Sequence, residues 1–168
     1  MKKIIQPTAL VLLAALFIIQ FFRPEKNLSA TDGPAANDIS TAYPMPQDVA
    51  STLQTSCYDC HSNNTYYPWY ANFQPVAWWL ADHVKEGKKE INFSEFASYR
   101  IGRQYRKLEE IKNEVEEGEM PLQSDTLIHG DAKLSPAQKE RLISWASATR
   151  DSIKARYPAD SLLRPKRN

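Results

Sequence analysis

The apolar positions of this chain follow two different rules. Ile4 to Phe22 is a nearly unbroken apolar run of nineteen residues without a charge, in which only Gln6, Thr8 and Gln20 are clearly polar. Beyond residue 46 the apolar positions recur at helical spacing instead. Within Gln47 to Tyr58, Val49, Leu53 and Cys57 repeat every four residues and share one face of a short helix. "PVAWWLADHVKEG" predicts a second helix, opened by Pro75 in its first turn and stopped by Gly87. "NFSEFASYRIGRQYRKLEEIKNEVEEG" predicts a longer one, with Ile101, Tyr105, Leu108, Ile111 and Val115 on its inward stripe and Gly118 as terminator. The last helix is signalled by Ser135 as cap, Pro136 in the first turn and Gln138 closing a capping box, ahead of an inward stripe of Leu142, Trp145, Ala146 and Thr149. No stretch of useful length alternates with the period of a strand. The expected fold is all-α, with four or five helices joined by long, proline-rich loops.

These patterns divide the chain into four parts. Residues 1–22, with Lys2 and Lys3 ahead of the apolar run and Arg23 and Lys26 behind it, are expected to form a transmembrane or signal helix. The run is close to the roughly 20 apolar residues that cross a bilayer, and longer than the roughly 7–15 of a secretory signal core. Small residues near Ser29 and Ala30 leave cleavage open. Residues 23–45 read as a flexible linker, because prolines and scattered polar residues bury too little apolar surface to offset ordering. Residues 46–150 are expected to be the folded domain. The tail 151–168 is basic and interrupted by proline, and disorder is its default reading. At 168 residues the chain has room for one core besides the N-terminal segment. A formal net charge of +1 gives no support to a nucleic-acid partner.

Both cysteines of the chain lie in "TSCYDCHSNNTYYPWY", as Cys57 and Cys60, with His61 directly after. Three chemistries use such a set. A disulfide or redox dithiol is one, but that pair normally opens a helix in a βαβ setting, which is missing here. A zinc site is another, yet only three ligands cluster and the remaining histidines are the distant His83 and His129. The third is covalent haem, for which C-x-x-C-H is the attachment signature: two thiols on one turn reach the two vinyl-derived carbons, and the adjacent imidazole is aimed at the iron. Covalent attachment is carried out on exported chains, so the N-terminal segment and the motif agree. The aromatics Tyr66, Tyr67, Trp69 and Tyr70 are candidates to wall the porphyrin, although aromatic rings also simply fill cores.

Of three methionines, Met1 starts the chain and Met45 falls in the linker, which leaves Met120 in "EEGEMPLQ" as the candidate sixth ligand. Pro121 stiffens the backbone beside it. His83 and His129 are the rival ligands, and His129 is also a candidate to support the methionine loop. Arg100 and Arg103, with Trp78 or Trp79, are candidates to neutralise or hydrogen-bond haem propionates. A solvated helix face with helical charge pairs is the stronger reading of the arginines.

With these residues in view, the chain resembles the haem-binding domain family of exported bacterial c-type cytochromes. The resemblance runs through "CYDCHSNNTYYPWY", "WWLADHVKEGKKEINFSEF", "EEGEMPL" and "LIHGDAKLSPAQKERLISWA", over roughly residues 46–150. It implies a cytochrome c-like fold around one covalent haem c, Cys57 and Cys60 as attachment points and His61 as proximal ligand. Met120 matches the Met-Pro element of many small cytochromes c. Phe96 stands where the family leads one to expect tryptophan, a change expected to affect packing alone. The function expected is an electron carrier rather than an enzyme, held by the inner membrane in the periplasm, or released into it after cleavage, and serving a redox partner protein. The alternative is a haem enzyme or a gas or redox sensor with an open or displaceable distal iron site. A membrane-tethered thiol oxidoreductase is a third reading.

Overall fold

Helix α8 (Pro136–Arg156) is the long element on which two others, residues 47–56 and 101–117, pack, and its start is built as its sequence predicts. In the computed structural model, which describes residues 2–29 and 33–164, the Ser135 side chain accepts from the Gln138 amide while the Gln138 side chain accepts from the Ser135 amide. Leu142, Trp145, Ala146 and Thr149 are all buried, and the Trp145 indole N–H donates to the Pro44 carbonyl at 3.1 Å. Every regular element among the described residues is helical. In chain order they are α1 (Lys2–Ile19), α2 (Ile39–Ala42), α3 (Gln47–Ser56), α4 (Tyr58–His61), α5 (Val76–Glu90), α6 (Ile101–Glu117), α7 (Gln123–Thr126), α8 and α9 (Ala159–Leu162), with short 3₁₀ turns at Trp69–Asn72, Phe93–Ser98 and Gly130–Ala132.

Helices α3, α6 and α8 enclose the core, where Val49, Leu53, Leu108, Val115 and Leu142 meet. The long helix expected from residue 92 onward is two elements. Asn92 caps a 3₁₀ turn through its side chain, and extended backbone at Tyr99 and Arg100 separates that turn from α6. The break lets Phe96 turn fully inward, against Tyr43 and Tyr99 at ring separations of 6.1 and 5.7 Å. Phe96 therefore fills its position by packing.

The core reaches past both ends of the 46–150 span. Ile39, in the segment expected as linker, is completely buried, Ile153 from the expected tail nearly so, and Leu162 beyond it is buried as well. Asn27, also in the expected linker, is held by the domain. The Asn27 side chain donates to the Ser62 carbonyl and Thr65 hydroxyl, both at 2.9 Å, and accepts from Lys88, while its amide donates to the Tyr67 hydroxyl. A polar residue can order a proline-rich segment when each of its hydrogen-bonding groups finds a partner. Ala30 and residues 165–168 lie outside the described residues, and with them part of the expected cleavage region and the end of the tail.

The transmembrane part of the expectation is not supported: among the described residues no helix is long and apolar enough to cross a membrane. Helix α1 closes at Ile19 rather than Phe22. The physical reason is local. Gln20, Phe21 and Phe22 continue only as turns onto Phe17, Ile18 and Ile19, and the Gln20 amide group is engaged by Gln74 of the domain.

Truncating Ile153 tests the extended core. Ile153→Ala is expected to cost about 2–4 kcal/mol in urea unfolding, the range for removing a fully buried Ile side chain; a loss below about 0.5 kcal/mol, typical of a surface position, contradicts it.

Candidate functional site

The two thiols and the imidazole are gathered by one turn. Cys57 ends α3 with φ −134° and ψ −38°, and its carbonyl accepts from the amides of Cys60 at 3.3 Å and His61 at 3.0 Å, which closes α4. Cys57, Cys60 and His61 are thereby brought to one place, as their spacing predicts. The turn is held from the other side by α5. A Cβ built on Gly87 meets the Cys60 carbonyl oxygen at 2.7 Å, so α5 approaches this closely only because residue 87 has no side chain. Gly87 does not end the helix as expected; α5 runs on to Glu90.

This approach decides the state of His61. Its Nδ1 lies 2.9 Å from the Gly87 carbonyl and 3.1 Å from the Ile91 carbonyl, two acceptors, so Nδ1 carries the proton. Nε2 is then the nitrogen with a lone pair to give. Burial lowers the pKa of His61 and favours the neutral imidazole that a metal ligand needs. The Phe93 ring lies 5.9 Å from the imidazole and stacks on Tyr58 at 5.3 Å, and the Tyr58 hydroxyl donates to buried Asp38.

His61 and Cys57 open into two adjoining hollows of about 280 and 310 Å³ that share Glu90, Met120 and Pro121 in their walls. The first is largely apolar and runs under α6 and α8, past Leu53, Ile111, Val115 and Leu142. The second adds Cys60, Tyr66, His83, Asp125, His129 and Asp131. Met120 arrives there because α6 stops in a single place: Gly118 takes φ 81°, and the amides of Gly118, Glu119 and Met120 all donate to the Glu114 carbonyl.

Burial pushes the Cys57 thiol up to about 12 and the Cys60 thiol to about 11. A redox dithiol needs the opposite shift, toward thiolate, so the structure weighs against that use. Among the described residues no group of three or more His, Cys, Asp or Glu side chains converges to hold a metal ion, which weighs against zinc. A mostly apolar cleft with two thiols and one pinned imidazole at its wall fits a porphyrin better than either.

The rival histidines line the same hollow but are engaged. The Tyr70 hydroxyl, whose pKa is raised by burial, shares a hydrogen bond of 2.5 Å with His129 Nε2. His83 Nδ1 donates to the Trp79 carbonyl at 2.8 Å. Of the four expected wall aromatics Tyr66 alone lines the hollow, and it is itself 79% exposed; the Tyr67 hydroxyl is bonded to Asn27, Tyr70 to His129, and Trp69 is not part of the lining. Arg100 and Arg103 do not reach the cleft: Arg103 lies over the Tyr99 ring at 4.0 Å, and both line a separate hollow beside α9. Lys107 is the cation in the cleft wall, its side chain 12% exposed, paired with Glu90 at 3.2 Å and with Glu110. Its place one helical turn after Gln104 on α6 carried no signal that set it apart from neighbouring charges.

The geometry thus describes a haem-binding cleft on an all-helical scaffold. Comparison with known families agrees: a model of the haem-binding domain matches residues 14–148, and the chain belongs to that family. No curated protein and no solved structure matches it.

Two outcomes follow from the cleft. Gly87→Ala is expected to displace α5 from the Cys60 carbonyl, costing about 1–3 kcal/mol and lowering haem occupancy at equal protein, measured by the Soret-to-protein absorbance ratio. Asp125 has its pKa raised above 3.8, mainly by burial, so its charged form is disfavoured in the folded state. That effect is absent while the carboxyl is protonated and grows as pH rises. Asp125→Asn is therefore expected to raise the melting temperature of the haem-loaded protein at pH 7, with the difference vanishing below about pH 3.8; an equal gain at both ends of the range contradicts it.

Proposed function

We propose that this protein is a single-haem c-type cytochrome that carries electrons on the periplasmic side of the inner membrane, to which its N-terminal segment attaches it. In this reading Cys57 and Cys60 hold one haem through thioether bonds, His61 is the proximal ligand through Nε2, and Met120 is the distal ligand. The observation that carries it is the His61 imidazole, pinned by two backbone carbonyls and facing a cleft that both thiols and Met120 also line.

The haem supplies reversible one-electron chemistry at iron, and a His/Met pair raises its potential. The chain's own contribution is positional. Gly87 and Ile91 fix the imidazole so that electron transfer requires no ring rotation or proton movement at His61. The apolar wall from Leu53 to Leu142 keeps water from one side. Asp59, Glu86, Glu90, Asp125 and Asp131 line the other hollow, which suits a partner with a basic docking face.

A second reading, a haem enzyme or sensor with a displaceable distal ligand, draws on His83 and His129 in the same cleft as Met120. One experiment separates the two. The oxidised protein is expected to show the weak far-red charge-transfer band of methionine–iron(III) ligation and to lose it in Met120→Ala, with a fall in potential. Ready carbon monoxide binding by the reduced wild type favours the sensor. Covalent attachment has its own check: haem is expected to stay with the chain on a denaturing gel in wild type and to leave it in the Cys57→Ala, Cys60→Ala double variant.

A further inference from the structure

From Ala9 to Ile19 helix α1 is apolar around its whole circumference. Leu10, Val11, Leu12 and Leu13 are consecutive, so at about 100° per residue they point in four directions, and each is 63–69% exposed. No face of this stretch is turned to the domain. A helix apolar on every side is one that hydrocarbon can cover all round, whereas a single protein groove covers one face.

The end of that helix is tied to the domain rather than hung from it. The Gln20 side chain donates to the Gln74 carbonyl at 3.2 Å and accepts from the Gln74 amide at 2.9 Å. The buried Gln74 side chain and the Trp78 indole N–H both donate to the Phe22 carbonyl at 2.8 Å. Around this joint the surface is aromatic: Phe21 is 72% exposed, Phe22 64%, Trp69 76%, Phe73 55% and Trp78 37%. Trp69 and Phe73 pack edge to face at 6.1 Å, and Trp78 is tied to Phe22 through its indole N–H. Arg23 follows it in the chain, and Lys26 reaches Asn72 at 3.0 Å on the same turn.

We propose that Trp69, Phe73 and Trp78, with Phe21 and Phe22, form a membrane-contact face that seats the haem domain in the headgroup zone of the bilayer entered by α1. Aromatic rings with a polar edge favour that zone, and neighbouring cations favour its phosphates. The proposal rests on the membrane attachment of the preceding reading. It adds that the domain is docked in one orientation by residues distant in sequence from the anchor.

The test uses the full-length, haem-loaded protein in phosphatidylcholine vesicles containing a minor share of phosphatidylglycerol. A photoactivatable diazirine is carried near the glycerol backbone of one lipid, and labelled peptides are identified by mass spectrometry. Labelling of both α1 and the segment 69–78 is expected. Trp69→Ser with Phe73→Ser is expected to cut labelling of 69–78 several-fold, leave that of α1 unchanged, and abolish the haem's linear dichroism in oriented multilayers. Trp69→Tyr, which keeps an interfacial ring, is expected to preserve both signals, and an unchanged Soret band certifies each variant's fold. Labelling of α1 without 69–78 overturns the docked face while membrane attachment stands. Labelling of neither overturns both.

Discussion

Everything at the site depends on the contact between Gly87 and Cys60. A helix can pass within 2.7 Å of a carbonyl oxygen, measured to where a Cβ would sit, only at glycine, and that approach brings the Gly87 and Ile91 carbonyls under His61. One missing methyl group therefore sets the tautomer of an imidazole on another element. The C-terminal end of α5 also contributes partial negative charge where the imidazole N–H points, which makes the pinned proton more favourable. The thiols need less support, since α4 fixes them through its own backbone.

The cleft divides its two sides by chemistry. Where α6 and α8 pack, the wall is apolar and continuous with the core, so any group bound there adds to the hydrophobic interior that already holds the fold. At the other side, carboxylates, histidines and tyrosines share the rim, and Asp59 and Asp125 are both raised by burial. Lys107, its side chain 12% exposed, stands at the boundary, held between Glu90 and Glu110. Its charge is already balanced by those two carboxylates, so it keeps the wall polar at this point without leaving a free positive group.

Much of this was legible in the sequence, for identifiable reasons. The α8 cap, the Gly118 stop and the stripes on α3 and α6 are set by local chemistry, and the structure keeps them. The C-x-x-C-H spacing is likewise a property of one turn. What escaped was long-range. Gly87 looks like a helix terminator because a glycine's local signal is the same whether it ends a helix or admits a neighbour. Tyr67, Tyr70 and Trp69 share a composition with haem walls, but their partners Asn27 and His129 are far away in the chain. Lys107 escaped for a similar reason: α6 begins at Ile101 after the break at Arg100, which leaves Arg103 over Tyr99 and Lys107 in the cleft wall, and a run of charges on one helix does not show which of them faces inward.

The single Glu114 carbonyl that receives three amides sets unequal tolerances to changes in chain length. Each residue added to α6 between Lys107 and Glu114 turns everything after it by about 100°, which carries Met120 out of the cleft while Lys107 stays. Residues added within 123–131, beyond the stop, leave Met120 where it is. Length variation among chains built on this plan should therefore gather after Pro121 and spare the helix before it.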